Sequence, residues 1–182
     1  MPGHLSETVI DLYRRHAAQW DANRKDRPWN DRVWHETSIR ELAQGSHVLD
    51  LGCGGGEPAA RFLVDHGMRV TGVDTSPALI ALARERLPEQ EWIVAEMRHL
   101  ALDRRFAGIL AWDSYFHLAH EAQRAMFAVF DAHASDDAVL MFNTGPAHGE
   151  PRVLSRSRAS ISIMQASRRR SIRLCSPAAT SK

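Results

Sequence analysis

A chain of 182 residues, 44% hydrophobic and 25% charged, is long enough to bury a sizeable core and reads as one domain with appendages. No apolar run approaches the roughly 18 residues of a membrane span, and no basic region followed by a continuous apolar one opens the chain; a membrane protein and a signal peptide are not expected, and the cytoplasm is. The formal charge of +1 conceals an asymmetry: residues 151–182 hold seven Arg and one Lys with no acid (+8), whereas the first 150 carry 15 basic against 22 acidic groups (−7). Cys53 and Cys175 stand far apart outside any C-x-x-C pair, and the ten histidines show no metal-binding spacing, so neither a disulfide framework nor a metal site is expected.

In chain order, residues 6–20 read as an amphipathic helix, with Ser6 as N-cap and Val9, Tyr13, Ala17 and Trp20 at helical spacing. A polar loop over Asp21–Asn30 leads to a second helix over Asp31–Ala43, ended by Gly45. Both precede the sheet and form a cap over it. The unbroken apolar stretch His47–Leu51 suits a parallel strand covered on both faces. Pro58 opens a short helix over Ala59–His66, and a second strand over Arg69–Val73 ends at Asp74. Ser76 and Pro77 start a helix reaching Leu87, and Trp92–Ala95 is a third strand followed by a loop through Glu96, Met97 and Asp103. Phe106–Trp112 is a fourth strand, Asp113–Leu118 a loop, Glu121–Ala134 a helix, Ser135–Asp137 a turn and Ala138–Asn143 a fifth strand. This alternation defines an α/β fold, a doubly wound, mostly parallel sheet. From Pro151 it stops: eight Ser and seven Arg, no aromatic and only a brief apolar patch at Ile161, Ile163 and Met164 describe a mostly disordered tail. The expected organisation is a helical cap over residues 1–45, an α/β domain over 46–149 and the tail over 150–182.

The chain is organised around residues 48–58, where a strand carrying Asp50 runs into glycines at 52, 54, 55 and 56 and on to a helix start. A dinucleotide fingerprint beginning at Gly52 requires glycine at 57, where Glu57 stands instead. At a helix N-terminus this carboxylate repels a pyrophosphate, which disfavours NAD. The pattern present, Asp50-x-Gly52-x-Gly54-x-Gly56, suits a ligand with no phosphate and with an ammonium group for Asp50 to face. Asp74, 22 residues after Gly52, is spaced to accept hydrogen bonds from both ribose hydroxyls.

Taken together, V-L-D-L-G-C-G-G-G, V-T-G-V-D-T-S-P, V-A-E-M-R-H-L, W-D-S-Y-F-H-L and N-T-G-P resemble the class I S-adenosylmethionine-dependent methyltransferases of the small-molecule type, over residues 5–149. The resemblance implies S-adenosylmethionine as cofactor, with Asp50 near its methionine ammonium, main chain at Gly52, Cys53, Gly54 and Gly56 passing close to it, Asp74 and Thr75 at the ribose, and Glu96, Met97 and Trp112 around the adenosine. It further implies a lid formed by Tyr13, Trp20 and Asp21, and methyl transfer to a small-molecule acceptor. Asp113 and His117 lie just past the fourth strand, where an imidazole has the right pKa range for a general base. The readings set beside this one are a truncated methyltransferase that binds cofactor with impaired catalysis, and an NAD-dependent oxidoreductase. The family's sheet finishes with two more strands, the last inserted antiparallel beside the fifth. Here the Ser/Arg-rich tail stands in their place and reads as a truncation or a shifted reading frame, leaving an incomplete C-terminal end and an exposed fifth-strand edge. The tail lacks interleaved aromatics, so nucleic acid is not an expected partner; the oligomeric state is left open.

Overall fold

The computed structural model describes residues 28–144 throughout, residues 15–17, 19, 21 and 22, and the backbone of two strands further on, at 160–167 and 171–174. Tyr13, Trp20 and Cys175 lie outside the described residues, as does most of the first expected helix. Residues 15–17, 19, 21 and 22 are helical, so Asp21 belongs to helix and not to the loop expected there. The elements that follow are α1 (Arg32–Arg40), β1 (His47–Leu51), α2 (Ala59–Asp65), β2 (Arg69–Asp74), α3 (Pro77–Arg86), β3 (Glu91–Val94), β4 (Phe106–Ala111), α4 (His120–His133), β5 (Ala134–Thr144), β6 (Ser160–Ser167) and β7 (Ser171–Leu174). Short 3-10 turns at Met97–His99 and Tyr115–His117 follow β3 and β4.

The strands form one sheet in the order β3-β2-β1-β4-β5-β6-β7. The first five are parallel, with Asp50 opposite Gly72 on one side and Leu110 on the other. Chain order reverses between β1 and β4, which places the crevice of this α/β sheet at the carboxyl ends of those two strands. Strand side chains alternate between faces. Val48, Val70, Leu110, Val139 and Met141 pack on one face against Ala60, Leu63, Ile80 and Ala83 of α2 and α3. Leu49, Leu51, Val73, Ile109, Leu140 and Phe142 pack on the other against Met126 and Phe130 of α4. Covering both faces explains why the strands read as continuous apolar runs. α3 starts as its sequence indicates: the Ser76 hydroxyl accepts the Leu79 N–H at 3.4 Å, and Pro77 occupies the first turn.

Two expectations are corrected here. The turn expected at Ser135–Asp137 is absorbed into β5, whose register against β4 jumps from Phe106↔Ala134 to Gly108↔Val139 while Asp137 adopts a positive φ of 64°. Extra residues taken up by such a bulge leave the strand continuous. Secondly, β5 is not an open edge: β6 pairs antiparallel with it from Val139↔Gln165 to Thr144↔Ser160, and β7 pairs antiparallel with β6. The alternation Ser160-Ile161-Ser162-Ile163 carries the period of two that a strand needs. The departure from the family's ending persists in the topology, since the strand beside β5 is the sixth and not the last.

Candidate active site

The turn after β1 folds back over the end of β2. The N–H groups of Gly52 and Cys53 both donate to the Val73 carbonyl, at 2.7 and 3.1 Å. Gly52 has φ 78°, and a Cβ there would lie 2.3 Å from the Ser114 Cβ, so a side chain is excluded on two counts. Ser114 comes from the loop after β4, and its hydroxyl donates to the Leu51 carbonyl at 2.7 Å, which closes that loop onto the turn. Met97 approaches the same spot, its Cε 3.4 Å from where a Gly52 Cβ would be.

Two carboxylates flank the turn. Asp50 is buried within β1. Asp74, at the end of β2, accepts the Gly54 N–H at 3.0 Å on one oxygen and the Ser76 N–H at 2.8 Å on the other. Main chain thereby fixes the orientation of this carboxylate. Thr75 sits half-buried between Asp74 and the cap of α3. Burial, reinforced by the charges of Asp50 and Asp74, pushes the Cys53 thiol well above its usual range, so Cys53 is a neutral packing residue and not an activated nucleophile.

Past β3, Glu96 is paired with Arg98, and with His99 Nδ1 at 3.5 Å, along the 3-10 turn. Trp112 is buried against the cap: its indole N–H donates to Asp31 Oδ2 at 3.3 Å, and its ring lies 5.2 Å from that of His35. Trp29 packs on His35 and on Phe62 of α2. These rings seat α1 on the sheet. Asp113 has φ 52° and is held by a reciprocal pair with Asn143 at the end of β5, Asp113 N–H to Asn143 Oδ1 and Asn143 Nδ2 to Asp113 Oδ1, both 2.9 Å. His117 follows in the 3-10 turn beside Phe116. Burial lowers its pKa, and the nearby Asp113 charge offsets part of that. Burial pushes the neighbouring Tyr115 phenol up to about 12, and its hydroxyl donates to the Gln123 carbonyl at 2.9 Å.

The structure thus brings Asp50, the glycine turn, Asp74 and Met97 together at the crevice, places Asp113 and His117 on the adjoining loop, and turns Trp112 toward the cap. Sequence reasoning missed Ser114, Asn143, Ser76 as an Asp74 partner, and Arg86. The first two stand inside or at the start of the motifs W-D-S-Y-F-H-L and N-T-G-P, but their contacts are long-range and carry no local spacing.

Residues 48–137 match the family model described as a methyltransferase domain. The fold is the Rossmann-like α/β fold of the class I methyltransferases. Among curated relatives, the trans-aconitate 2-methyltransferase of Paracidovorax citrulli is 48% identical over 65 residues, covering 35% of this chain and 25% of that protein. The chain thus spans about a quarter of that relative's length. Among solved structures, the DhpI-SAM-HEP complex superposes with a TM-score of 0.66 at 22% identity, over 93% of this chain and 86% of that one. The [4+2]-cyclase SpnF superposes with a TM-score of 0.63 at 20% identity, over 79% of this chain and 61% of that one. A fold shared with a cyclase leaves the chemistry to be argued from the site.

Proposed function

We propose that this chain binds S-adenosylmethionine at the glycine turn and transfers its methyl group to a small-molecule acceptor. The observation that carries the reading is the pair of carboxylates around that turn: Asp50, buried in β1, and Asp74, oriented by the N–H groups of Gly54 and Ser76. Asp50 would hold the ammonium, Asp74 the ribose diol, and Met97 the apolar side of the base. Asp50, Asp74 and Glu57, the last 3.8 Å from both Arg61 and Arg86, suit a positively charged ligand better than a pyrophosphate. When bound, the cofactor supplies an electrophilic methyl group on its sulfonium. The chain supplies alignment, exclusion of water under the cap, and a base: a neutral ring nitrogen of His117 takes the proton of a hydroxyl or ammonium acceptor, with Asp113 stabilising the imidazolium that forms. The acceptor lies in the crevice between the loop at 113–118 and the cap. The 65 residues shared with the trans-aconitate enzyme leave the acceptor's identity open.

Calorimetric titration with S-adenosylmethionine and with NAD tests the cofactor. Saturable heat with the first and none with the second is expected; binding of NAD alone would overturn the reading.

A further inference from the structure

Asp113 opens the loop after β4 with a φ of 52°, a conformation uncommon outside glycine and best tolerated by Asn and Asp. Such a backbone persists only where its surroundings hold it. Asn143, 4% exposed near the end of β5, does so with both halves of its amide: Oδ1 accepts the Asp113 N–H and Nδ2 donates to Asp113 Oδ1, each at 2.9 Å. One residue on, the Ser114 hydroxyl donates to the Leu51 carbonyl at 2.7 Å. The loop is therefore pinned to β5 on one side and to the end of β1 on the other, and it carries His117 in its 3-10 turn.

The groups around this turn are mostly uncharged. Phe116 lies beside His117, with ring centroids 4.3 Å apart. From β5 the turn meets Phe142, whose ring is 4.9 Å from that of Tyr115, and from α4 it meets Gln123, which donates to the Leu118 carbonyl at 2.8 Å. His120 and Glu121, at the start of α4, are exposed. Among the described residues the charge that bears on His117 is that of Asp113, and it opposes the effect of burial. A cationic side chain in the place of Asn143 would orient Asp113 and also cancel its charge, whereas an amide orients it and carries no charge of its own. Resting on the base assigned to His117 above, we infer that Asn143 is a positioning residue: from β5 it holds the Asp113 carboxylate in its left-handed turn, so that this charge bears on His117 and steadies the imidazolium formed when the base takes a proton.

The test follows the imidazole titration of His117 by NMR in ligand-free wild type, Asn143→Ala, Asp113→Asn and the double variant, with thermal melting of each alongside; His117→Gln identifies the signal by its loss. Asn143→Ala is expected to move the titration to lower pH, by less than Asp113→Asn does, because the charge is displaced and not removed. In the Asp113→Asn background, where no charge remains to be held, Asn143→Ala should move it no further. An unmoved His117 in folded Asn143→Ala, or the same displacement in both backgrounds, would overturn the role. Wild type supplies a check that needs no substitution: the Asn143 side-chain amide signals should follow protonation of the Asp113 carboxylate as the solution is acidified, and signals that stay fixed would overturn the pairing. Calorimetry separates the two levels of the argument. A wild type that binds no S-adenosylmethionine overturns the reading on which the base rests, and the role of Asn143 with it; a wild type that binds, with His117 unmoved in Asn143→Ala, overturns the role of Asn143 alone.

Discussion

At Asp74 the two carboxylate oxygens are already oriented by the N–H groups of Gly54 and Ser76, so Asp74→Ala removes both the proposed ribose acceptor and the partner of two main-chain donors. Cofactor affinity should fall by about 1–3 kcal/mol, read by calorimetry; equal affinity in the variant would argue against a ribose role. The role proposed for His117 lies at a different step. His117→Ala should lower turnover and leave cofactor affinity unchanged, and unchanged turnover would reduce it to packing. Its pH dependence follows from its surroundings: burial lowers the pKa and Asp113 raises it, so the ring is neutral and able to accept a proton at and somewhat below its ordinary value of 6.5. Asp113→Asn removes the raising charge. The acid limb of the pH–rate profile, or the imidazole titration followed by NMR, should move to lower pH in that variant.

At the scale of elements, the opposite ends of β1, β2 and β3 carry a polar chain of their own. His47 Nε2 meets Thr71 Oγ1 at 2.9 Å, the Thr71 hydroxyl donates to Glu91 at 2.9 Å, and Arg104 pairs with Glu91. Burial lowers the His47 pKa, with Arg69 and Arg104 adding to it and Glu91 opposing. A lowered imidazole pKa contributes stability that is fully present above the unfolded value and is lost as pH falls through the folded one. Glu91 adds a loss only in more acid solution. Burial raises its pKa, but bonds from Thr71 and Arg104 outweigh that. Its contribution is present above the ordinary carboxylate value of 4.5 and lost below it, so the fall near neutrality belongs to His47. Urea midpoints should therefore fall between pH 7.5 and 5.5, and His47→Gln should shrink that fall. On the far face, Phe130 of α4 packs among Tyr115, Phe127 and Phe142. Phe130→Ala should cost about 3–5 kcal/mol of stability in denaturant titration.

At the scale of the molecule, the sheet runs from a short outer strand, β3, to an antiparallel hairpin of β6 and β7. The hairpin supplies the hydrogen-bonding partner of β5 from Val139 to Thr144, and β5 in turn braces the loop carrying Asp113 through Asn143. A chain ending at residue 159 would leave that row of backbone groups unpaired, an edge that invites association. Lower melting temperature and concentration-dependent aggregation are the expected outcomes, read by scanning calorimetry and light scattering. No helix among the described residues is long and apolar enough to cross a membrane.

The sequence by itself determined the βα alternation, the bounds of the first four strands to within a residue or so, the glycine turn, and the carboxylates Asp50 and Asp74 at strand ends. Each of these is written in a local period or in a turn's need for a residue without a side chain. Only the tertiary structure decided that Asp21 meets Arg86 across 65 positions, that Ser114 fills the space over Gly52, that Asn143 holds Asp113, that Trp112 serves the cap, and that β5 runs through the expected turn to pair with β6. These contacts join segments far apart in the chain, where geometry and desolvation select partners and no spacing along the sequence records them.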